Sequence, residues 1–559
     1  MRDRQPRIRH NEYTVLTPAA IGTWQPTLSV SVVIPAWNCQ EKLDLTLAGL
    51  AAQTYPDHLL DVIVVDDGSD PPLRLPEVRP QRTRLVPGAP GGWGIAHATN
   101  TGVRVAVGDI VHRLDSDMVL YPDHIEAQMR WHHLANYLVL LGAKRFVDFR
   151  PGELTSDQVY RAGIEARTGE LFDVVASAPH EWVERIIDET DGLRSAGADA
   201  FRVLVGASVS LPRRLYHDVG GMDTELVHAE DSEIGYRLAQ AGAVFIPDPD
   251  SRSWHLGAST MMTTGEAIQR HSVPFKVDRM AQPRWKRKAA SGQWSVPFID
   301  VVVDVAAGTY EQNAAAFDRI LAGSFSDVRI TAIGSWGQLT DERRSVPADP
   351  LADLRLLRAR FRGDGRVRFT DRVEATSAPV PFRLTLDPTW APHPYSLRDL
   401  TRLADEEVSG LVVVSGPSGA VARLERTAAV SRAMQVQQGD ADLDTVIDAV
   451  FGARTTTVDD ARLYPLDQDG KLRRPPDSDP VPRSETELFR GKARSANRKL
   501  KVARERNLEF ERANAELLDE VRRLRTQVDH LRHQLRSPWL VRSVQRVARR
   551  LVKGRRDLL

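Results

Sequence analysis

The chain has one cysteine, Cys39, among 559 residues. A single thiol excludes an internal disulfide, a zinc finger or a dithiol redox motif, and a reducing compartment is the expectation. Cys39 itself reads as a small loop or core residue. No apolar run reaches the roughly 18–20 residues that a membrane-spanning helix needs. The N-terminus is polar and lacks the apolar stretch of a secretory signal. Net charge is also missing: 75 basic residues balance 75 acidic ones. The whole chain is therefore not a generic polyanion binder, and no nucleic-acid partner is expected. Together these absences lead to the expectation of a cytoplasmic protein, with peripheral contact at the inner membrane face as an option. What remains is ordinary soluble composition, 42% hydrophobic and 27% charged, in a chain long enough for two to four domains.

Against this background, β and α signals alternate early in the chain. Val30 to Pro35 reads as a buried strand, Glu41 to Gln53 as a helix carrying Leu43, Leu47 and Leu50, and Asp61 to Val65 as a second strand. Thr83 to Val86 is a third candidate strand. A glycine-rich loop, Gly88 to Gly94, leads into a helix from about Ile95 to Ala106, and Ile110 to Leu114 is another strand. Such alternation predicts an α/β fold with a parallel sheet and helices on both faces, with ligands bound beyond the carboxyl ends of the strands.

The organisation expected is an arm at 1–28, a first α/β domain at 29–275, a basic linker at 276–295 and a second α/β domain at 296–460. A linker rich in proline and aspartate follows at 461–484, then a coiled coil at 485–536 and a basic amphipathic helix at 537–559. The coiled coil rests on heptads. Leu500, Asn507, Asn514, Val521, Val528 and Leu535 fall on one position, and Ala496, Ala503, Phe510, Leu517, Leu524 and Leu531 on the other. That pattern predicts a homodimer, or a long amphipathic helix folded on its own domain. Leu540, Val544, Val547 and Leu551 with Arg542, Arg546, Arg549 and Arg550 suit an anionic membrane surface or a solvated helix end.

Three acidic sites stand out. Asp66-Asp67 and Asp115-Ser116-Asp117 each follow a predicted strand, and Glu230-Asp231 opens a predicted helix. Paired hard-oxygen carboxylates suit a divalent ion that keeps positions open for phosphates. Carboxylates at a helix N-terminus are stabilised as anions. Nucleoside recognition, charge neutralisation of a diphosphate and deprotonation of an acceptor are what transfer from a nucleotide-activated donor requires. A nucleotidyltransferase would carry a glycine-rich basic phosphate loop where this chain has Pro35-Ala36-Trp37-Asn38.

The residues resemble the family 2 glycosyltransferases, of GT-A fold, over about 29–260. Five segments carry the resemblance, in the family's order: Ser31 to Asn38, Val64 to Ser69, Gly91 to Gly102, Leu114 to Asp117 and Ala229 to Leu238. It implies a nucleotide-binding set of Pro35, Asn38, Asp66, Asp67, Asn100 and Asp115. It implies Asp115 and Asp117 as ligands of Mn²⁺ or Mg²⁺, with His255 as a third ligand, because related enzymes often place a histidine there. It implies Asp231 as the catalytic base, with acceptor contacts from Glu230. Trp93, Trp254 and Trp182 are candidates to stack on sugars, with core packing as the alternative for each, and Trp254 is assigned to the acceptor. The activity implied is inverting transfer of a sugar from a nucleotide-diphosphate donor to a hydroxyl of a glycan or glycolipid, in envelope or polysaccharide synthesis. The alternative is a non-catalytic scaffold organising a glycan-assembly complex. The family often has arginine before the asparagine where this chain has Thr99; Arg113 or His97 is the expected substitute.

A faint internal echo lies 270 residues apart. Thr54-Tyr55 matches Ser324-Phe325, and Arg113 to Asp117 with Pro122 matches Arg383 to Asp387 with Pro392. It predicts that 296–460 is a degenerate GT-A-like domain, with Thr385 in place of Asp115, Asp387 in place of Asp117, and the nucleoside acids falling near Ile333 and Gly334; the alternative is an unrelated α/β domain aligned by chance.

Overall fold

The computed structural model describes residues 4–287, 293–342 and 345–473, with Arg523 in addition. The chain divides into a unit of residues 1–476 and a unit of 477–559. The expected coiled coil and basic helix, and with them the expected dimer and membrane contacts, lie outside the described residues apart from Arg523. No described helix is long and apolar enough to cross a membrane.

The first lobe is built on strands β1 (Val30–Ala36), β2 (Leu60–Asp66), β3 (Thr83–Pro87), β4 (Ile110–Leu114), β5 (Met118–Leu120), β6 (Leu138–Val147), β7 (Ala178–Pro179), β8 (Ser208–Pro212) and β9 (Val244–Leu256). Their order is β3-β2-β1-β4-β8-β6-β9-β5, with β7 attached to β6. β1 pairs in parallel with β2 and β4, whereas β8 runs antiparallel to β4 and β6. The valine- and isoleucine-rich central strands are buried along their whole length, as expected of strands covered on both faces. Helices α1 (Gln40–Ala51), α2 (Ile95–Val105), α3 (His124–His132), α4 (Ser156–Ile164), α5 (Glu181–Glu189), α6 (Arg213–Asp218), α7 (Glu230–Gln240) and α8 (Thr260–Arg279) pack around it. Close packing of α2 on the sheet needs Gly102: a Cβ there would lie 2.4 Å from Val33 and 3.0 Å from Val65.

The second lobe follows with β10 (Ile299–Asp304), β11 (Val328–Ile333), β12 (Val367–Thr370), β13 (Phe382–Leu386), β14 (Trp390–Pro392), β15 (Leu411–Gly416), β16 (Gly419–Arg426), β17 (Ala453–Thr457) and β18 (Leu463–Pro465). Its helices are α9 (Tyr310–Leu321), α10 (Ala352–Phe361), α11 (Ser396–Glu406), α12 (Thr427–Val436), α13 (Leu443–Phe451) and α14 (Val458–Ala461). The sheet order is β12-β11-β10-β13-β16-β15-β17, and β14 pairs with β18. β10 is parallel to β11 and β13, β16 is antiparallel to β13 and β15, and β17 is parallel to β15. Position by position, this is the order and polarity of the first sheet from β3 to β9.

The ladders fix which residues correspond. Val30 faces Ile110 and Ile299 faces Phe382; Leu114 faces Ser208 and Leu386 faces Ala422; Met118 faces His255 and Trp390 faces Pro465. Asp115 thus corresponds to Asp387, Asp117 to Thr389 and His255 to Pro465. The pairing expected from sequence, Asp117 with Asp387 and Asp115 with Thr385, is displaced by two residues. Likewise Thr54 N–H donates to the carbonyl of Pro122 at 2.8 Å and Ser324 N–H to that of Pro394, not Pro392, at 2.9 Å. A slip of one residue would turn every side chain to the other face; a slip of two preserves the alternation, so hydrophobic pattern alone does not detect it.

β9 runs through a register shift from Val244 to Leu256. Two expected boundaries also move. α8 carries the first lobe past residue 275 to Arg279. Residues 461–473 are not a spacer: β18 pairs with β14, and Leu466 bridges Leu472. The arm is anchored as well, with Ile8 and Asn11 buried.

Candidate active site

The first sheet delivers its acids to one edge. β4 ends at Leu114, a turn holds Asp115 to Asp117, and β5 turns back against the end of β9, where His255 faces Met118. Asp115, Asp117 and His255 each offer a ligand atom within 4.8 Å of the others. His255 Nδ1 lies 3.0 Å from the carbonyl of Gly257. A carbonyl only accepts, so Nδ1 carries the proton, and in the neutral ring Nε2 presents its lone pair, 3.6 Å from Asp117 Oδ1. Lys42 Nζ lies 3.3 Å from Asp117, and Arg113 Nη2 lies 2.8 Å from Asp115. Two carboxylates and one imidazole, compensated by two cations, are a donor set that fits Mn²⁺ or Mg²⁺.

The acid pair sits at the start of α7. The residue before it, Ala229, has φ +76°, a left-handed conformation costly for a residue with a Cβ. Strain of that kind points to a constrained corner. Asp231 Oδ2 accepts from Gly206 N–H at 3.3 Å, and Oδ1 accepts from Ser232 N–H. Glu230 is buried, and burial together with the neighbouring Asp231 charge pushes its carboxyl well above the usual range, against the pull of Arg113. Glu230 and Asp231 share the first turn of α7, where the helix dipole favours negative charge, and burial sets Glu230 apart by opposing its ionisation.

Lys144, on β6, carried no motif in the sequence and is the residue that sequence reasoning missed. Burial lowers its ammonium to about 8, and the charges of Asp115 and Asp231 resist that shift. One cation therefore senses both the candidate metal ligands and the candidate base. Two positions further along β6, Phe146 faces His255 across the ladder, their ring centroids 4.7 Å apart. A lone lysine in a strand has no spacing signature, so only the fold could reveal it. Arg113 is buried beside Asp115, and among the described residues its Nε and Nη1 have no hydrogen-bond partner.

The expected nucleoside residues divide. Asp67 Oδ2 accepts from Gly94 N–H at 2.7 Å and ties the glycine-rich loop to β2; burial raises its carboxyl. Burial also acts to raise Asp66, but Ser69 and Leu73 outweigh it and hold the carboxyl below its ordinary value. Both Asp66 oxygens accept backbone N–H groups, from Ser69 at 2.9 Å and Leu73 at 3.0 Å, which is turn chemistry. Asn38 joins the same turn, accepting from Asp70 N–H at 2.9 Å.

Three residues do not take the places expected of them. Asn100 spends its amide internally: Nδ2 donates to the carbonyl of Met222, and Oδ1 accepts from Tyr216 and Met222 N–H. Trp254 is 1% exposed and its indole N–H donates to the carbonyl of Thr168, so it packs the core rather than stacking on an acceptor. Pro35 is buried in β1 opposite Val65, so its ring faces protein. The exposed tryptophans at this edge are Trp37 and Trp93, edge to face at 5.6 Å.

Residues 31–174 match the family model described as glycosyl transferase family 2. Over 255 residues the chain is 27% identical to the uncharacterized glycosyltransferase YfnE of Bacillus subtilis, covering 39% of this chain and 62% of the relative. Over 251 residues it is 29% identical to the validoxylamine A glucosyltransferase of Streptomyces hygroscopicus subsp. limoneus, covering 41% and 51%. Among solved structures it is similar to the mannosyltransferase PcManGT from Pyrobaculum calidifontis in complex with GDP-Man and Mn²⁺, at 22% identity and TM-score 0.32, over 48% of this chain and 70% of that one. The matches to the two curated relatives span between half and two thirds of their lengths. The resemblance to family 2 glycosyltransferases thus holds for a segment, the one that carries the Asp115–Asp117 turn, and the first lobe is an α/β fold on a mixed sheet.

Proposed function

We propose that the first lobe is a nucleotide-sugar-dependent glycosyltransferase working by inversion, in polysaccharide or envelope glycan synthesis. The observation that carries this reading is the convergence of Asp115, Asp117 and His255 at one sheet edge, with the two aspartates inside the family-matched segment and His255 beyond it. Asp115, Asp117 and His255 would hold Mn²⁺ or Mg²⁺, which supplies positive charge to the leaving diphosphate. Asp231 accepts the proton of an acceptor hydroxyl, whose oxygen forms the new bond at the anomeric carbon while the sugar–phosphate bond breaks and a nucleoside diphosphate departs. Glu230, buried beside Asp231, is placed to hydrogen-bond the acceptor. Lys144 adds charge on the phosphate side. Asp67 sets the loop that borders the nucleoside.

In the same reading the second lobe is a degenerate copy without its own chemistry. Thr389 and Pro465 occupy the places of Asp117 and His255, and Gly334 and Ser335 those of the nucleoside acids. The remaining acid, Asp387, accepts from Thr389 N–H at 2.9 Å and Thr389 Oγ–H at 2.7 Å, closing its own turn.

The test is a thermal-shift and hydrolysis panel of UDP-glucose, UDP-N-acetylglucosamine and GDP-mannose, with and without Mn²⁺. A donor at a hundred times its Kd adds about 2.7 kcal/mol to the native state, so a shift in Tm of several degrees that needs Mn²⁺ is expected. Absence of both a shift and nucleotide release with every donor would overturn the reading.

A further inference from the structure

The helix that begins with Glu230-Asp231 ends in the grip of the second lobe. Arg432, on α12, is 2% exposed and has no acidic partner among the described residues. Its guanidinium donates instead to four carbonyls: Gly242 and Ala243, just after α7, and Ile8 and His10 in the N-terminal arm, the last three at 2.9 Å, 3.1 Å and 2.9 Å. It lies between the rings of Tyr137 and Phe451, 5.2 Å and 5.6 Å from their centroids. Gln435, one residue short of a helical turn further on, donates to the carbonyl of Ala241 at 2.6 Å. The approach leaves no room for a side chain: a Cβ on Gly242, whose φ is +85°, would lie 2.6 Å from Arg432 N. In the middle of α7, Tyr236 O–H donates to the carbonyl of Pro379 at 2.6 Å.

Orphan carbonyls at a helix end must be met by something. Here the partner is another lobe, which makes the axis of α7 a property of the joint. At the opposite end of α7, Asp231 accepts from Gly206 N–H at 3.3 Å, Ala229 is strained, and Gly235 packs against Leu204 and Phe201 of the first lobe. We propose that α12 positions the acid pair, with Arg432, Gln435 and the Tyr236–Pro379 bond fixing the end and middle of α7 so that Asp231 is held toward the sheet edge that carries Asp115. The proposal rests on the glycosyltransferase reading for what Asp231 does, but not for where it is held. It gives the second lobe a task although it lacks ligands of its own: it acts as a brace for a helix of the first.

Arg432→Ala strands four carbonyls and is expected to fold poorly, so the tests are Gln435→Ala and Tyr236→Phe in the full chain. Hydrogen–deuterium exchange followed by mass spectrometry reads placement without requiring turnover. The expected result is severalfold faster exchange in peptides covering Gly206 and residues 229–234, at the far end of α7. Faster exchange confined to 239–245 would make the contact local glue and overturn the proposal. A second arm measures nucleotide release from the donor that the panel identifies. The positioning role predicts a severalfold fall in kcat with donor KM unchanged, partly restored in Gln435→Glu, which keeps the side chain's length, only if its carboxyl is protonated at low pH. Unchanged kcat in variants with lowered Tm would also overturn it. A wild-type chain that releases no nucleotide, but shows the distal exchange, would sink the transferase reading and leave the brace intact.

Discussion

The molecule holds two sheets of the same order and polarity, and among the described residues the group able to hold a metal ion lies on the first. In the first, the turn after β4 points two carboxylates at an imidazole. In the second, the corresponding turn keeps one carboxylate and closes it on Thr389. The acids near the start of α13 are occupied in the same way: Asp442 caps Thr445 N–H and Asp444 pairs with Arg423. The difference lies in what the acids face more than in how many there are. Acids of the second lobe have found hydrogen-bond and ion-pair partners within their own lobe, whereas the first lobe leaves Arg113 with buried unpaired N–H groups and Glu230 buried beside a second carboxylate. Unmet polar groups of this kind are costly to keep, and sites that bind or react are where such costs are tolerated.

Paired substitutions can break this comparison. The largest effect is expected at Asp231. Asp231→Asn removes the proposed base and lowers turnover by about 10²–10⁴-fold while nucleotide binding stays within twofold, whereas Asp442→Asn leaves turnover unchanged. Steady-state kinetics with calorimetric binding of UDP or GDP checks both. Equal effects from the two variants would erase the distinction between the lobes.

Next is metal dependence. Asp117→Asn is expected to abolish the Mn²⁺-dependent rise in Tm. Asp387→Ala should preserve that rise and cost about 1 kcal/mol of stability through its lost turn bonds. Differential scanning fluorimetry over a Mn²⁺ titration separates them; loss of the Mn²⁺ response in the second variant would place an ion in the wrong lobe.

A smaller contrast concerns acid. Beneath the first sheet, His112, His124 and His132 are buried and bonded to Ser208 and Ser210. Burial drives His112 well below its ordinary value, His124 to about 4 and His132 to about 3. Below the unfolded value of about 6.5 the unfolded chain binds protons that these rings refuse, so stability falls as pH falls. It is undiminished above about 6.5, declines through pH 6 to 4 and levels off only below the folded values. Tm measured from pH 8 to pH 4 should follow this course, and His124→Gln should flatten it. A profile unchanged by that substitution would shift the cause to other groups.

Much of the first lobe could be read from the chain because its signals are local. Buried strands ending in acids, helices at 3.6-residue spacing and an acid pair opening a helix all announce themselves within a few residues. His255 was placed only by resemblance, and the structure sets it in the strand beside the turn. What escaped was long-range. Lys144 matters only because β6 lies beside β9 and near α7. Trp254 and Asn100 looked available because motifs do not say which side chains the core consumes. The arm seemed patternless because Ile8 and Asn11 are single anchors, not a periodic face. The echo between the lobes was seen two residues out of register, a displacement invisible to alternation and visible only in the ladder.

The joint at Arg432 has a consequence for how the two lobes respond to their surroundings. Ion pairs between exposed side chains weaken as salt rises, because mobile ions screen them. A buried guanidinium met by four carbonyl dipoles and two aromatic faces offers dissolved ions nothing to displace. The lobes should therefore keep their mutual arrangement across a wide range of ionic strength and yield to denaturant or heat, so that a cell's changing salt leaves the aim of α7 untouched.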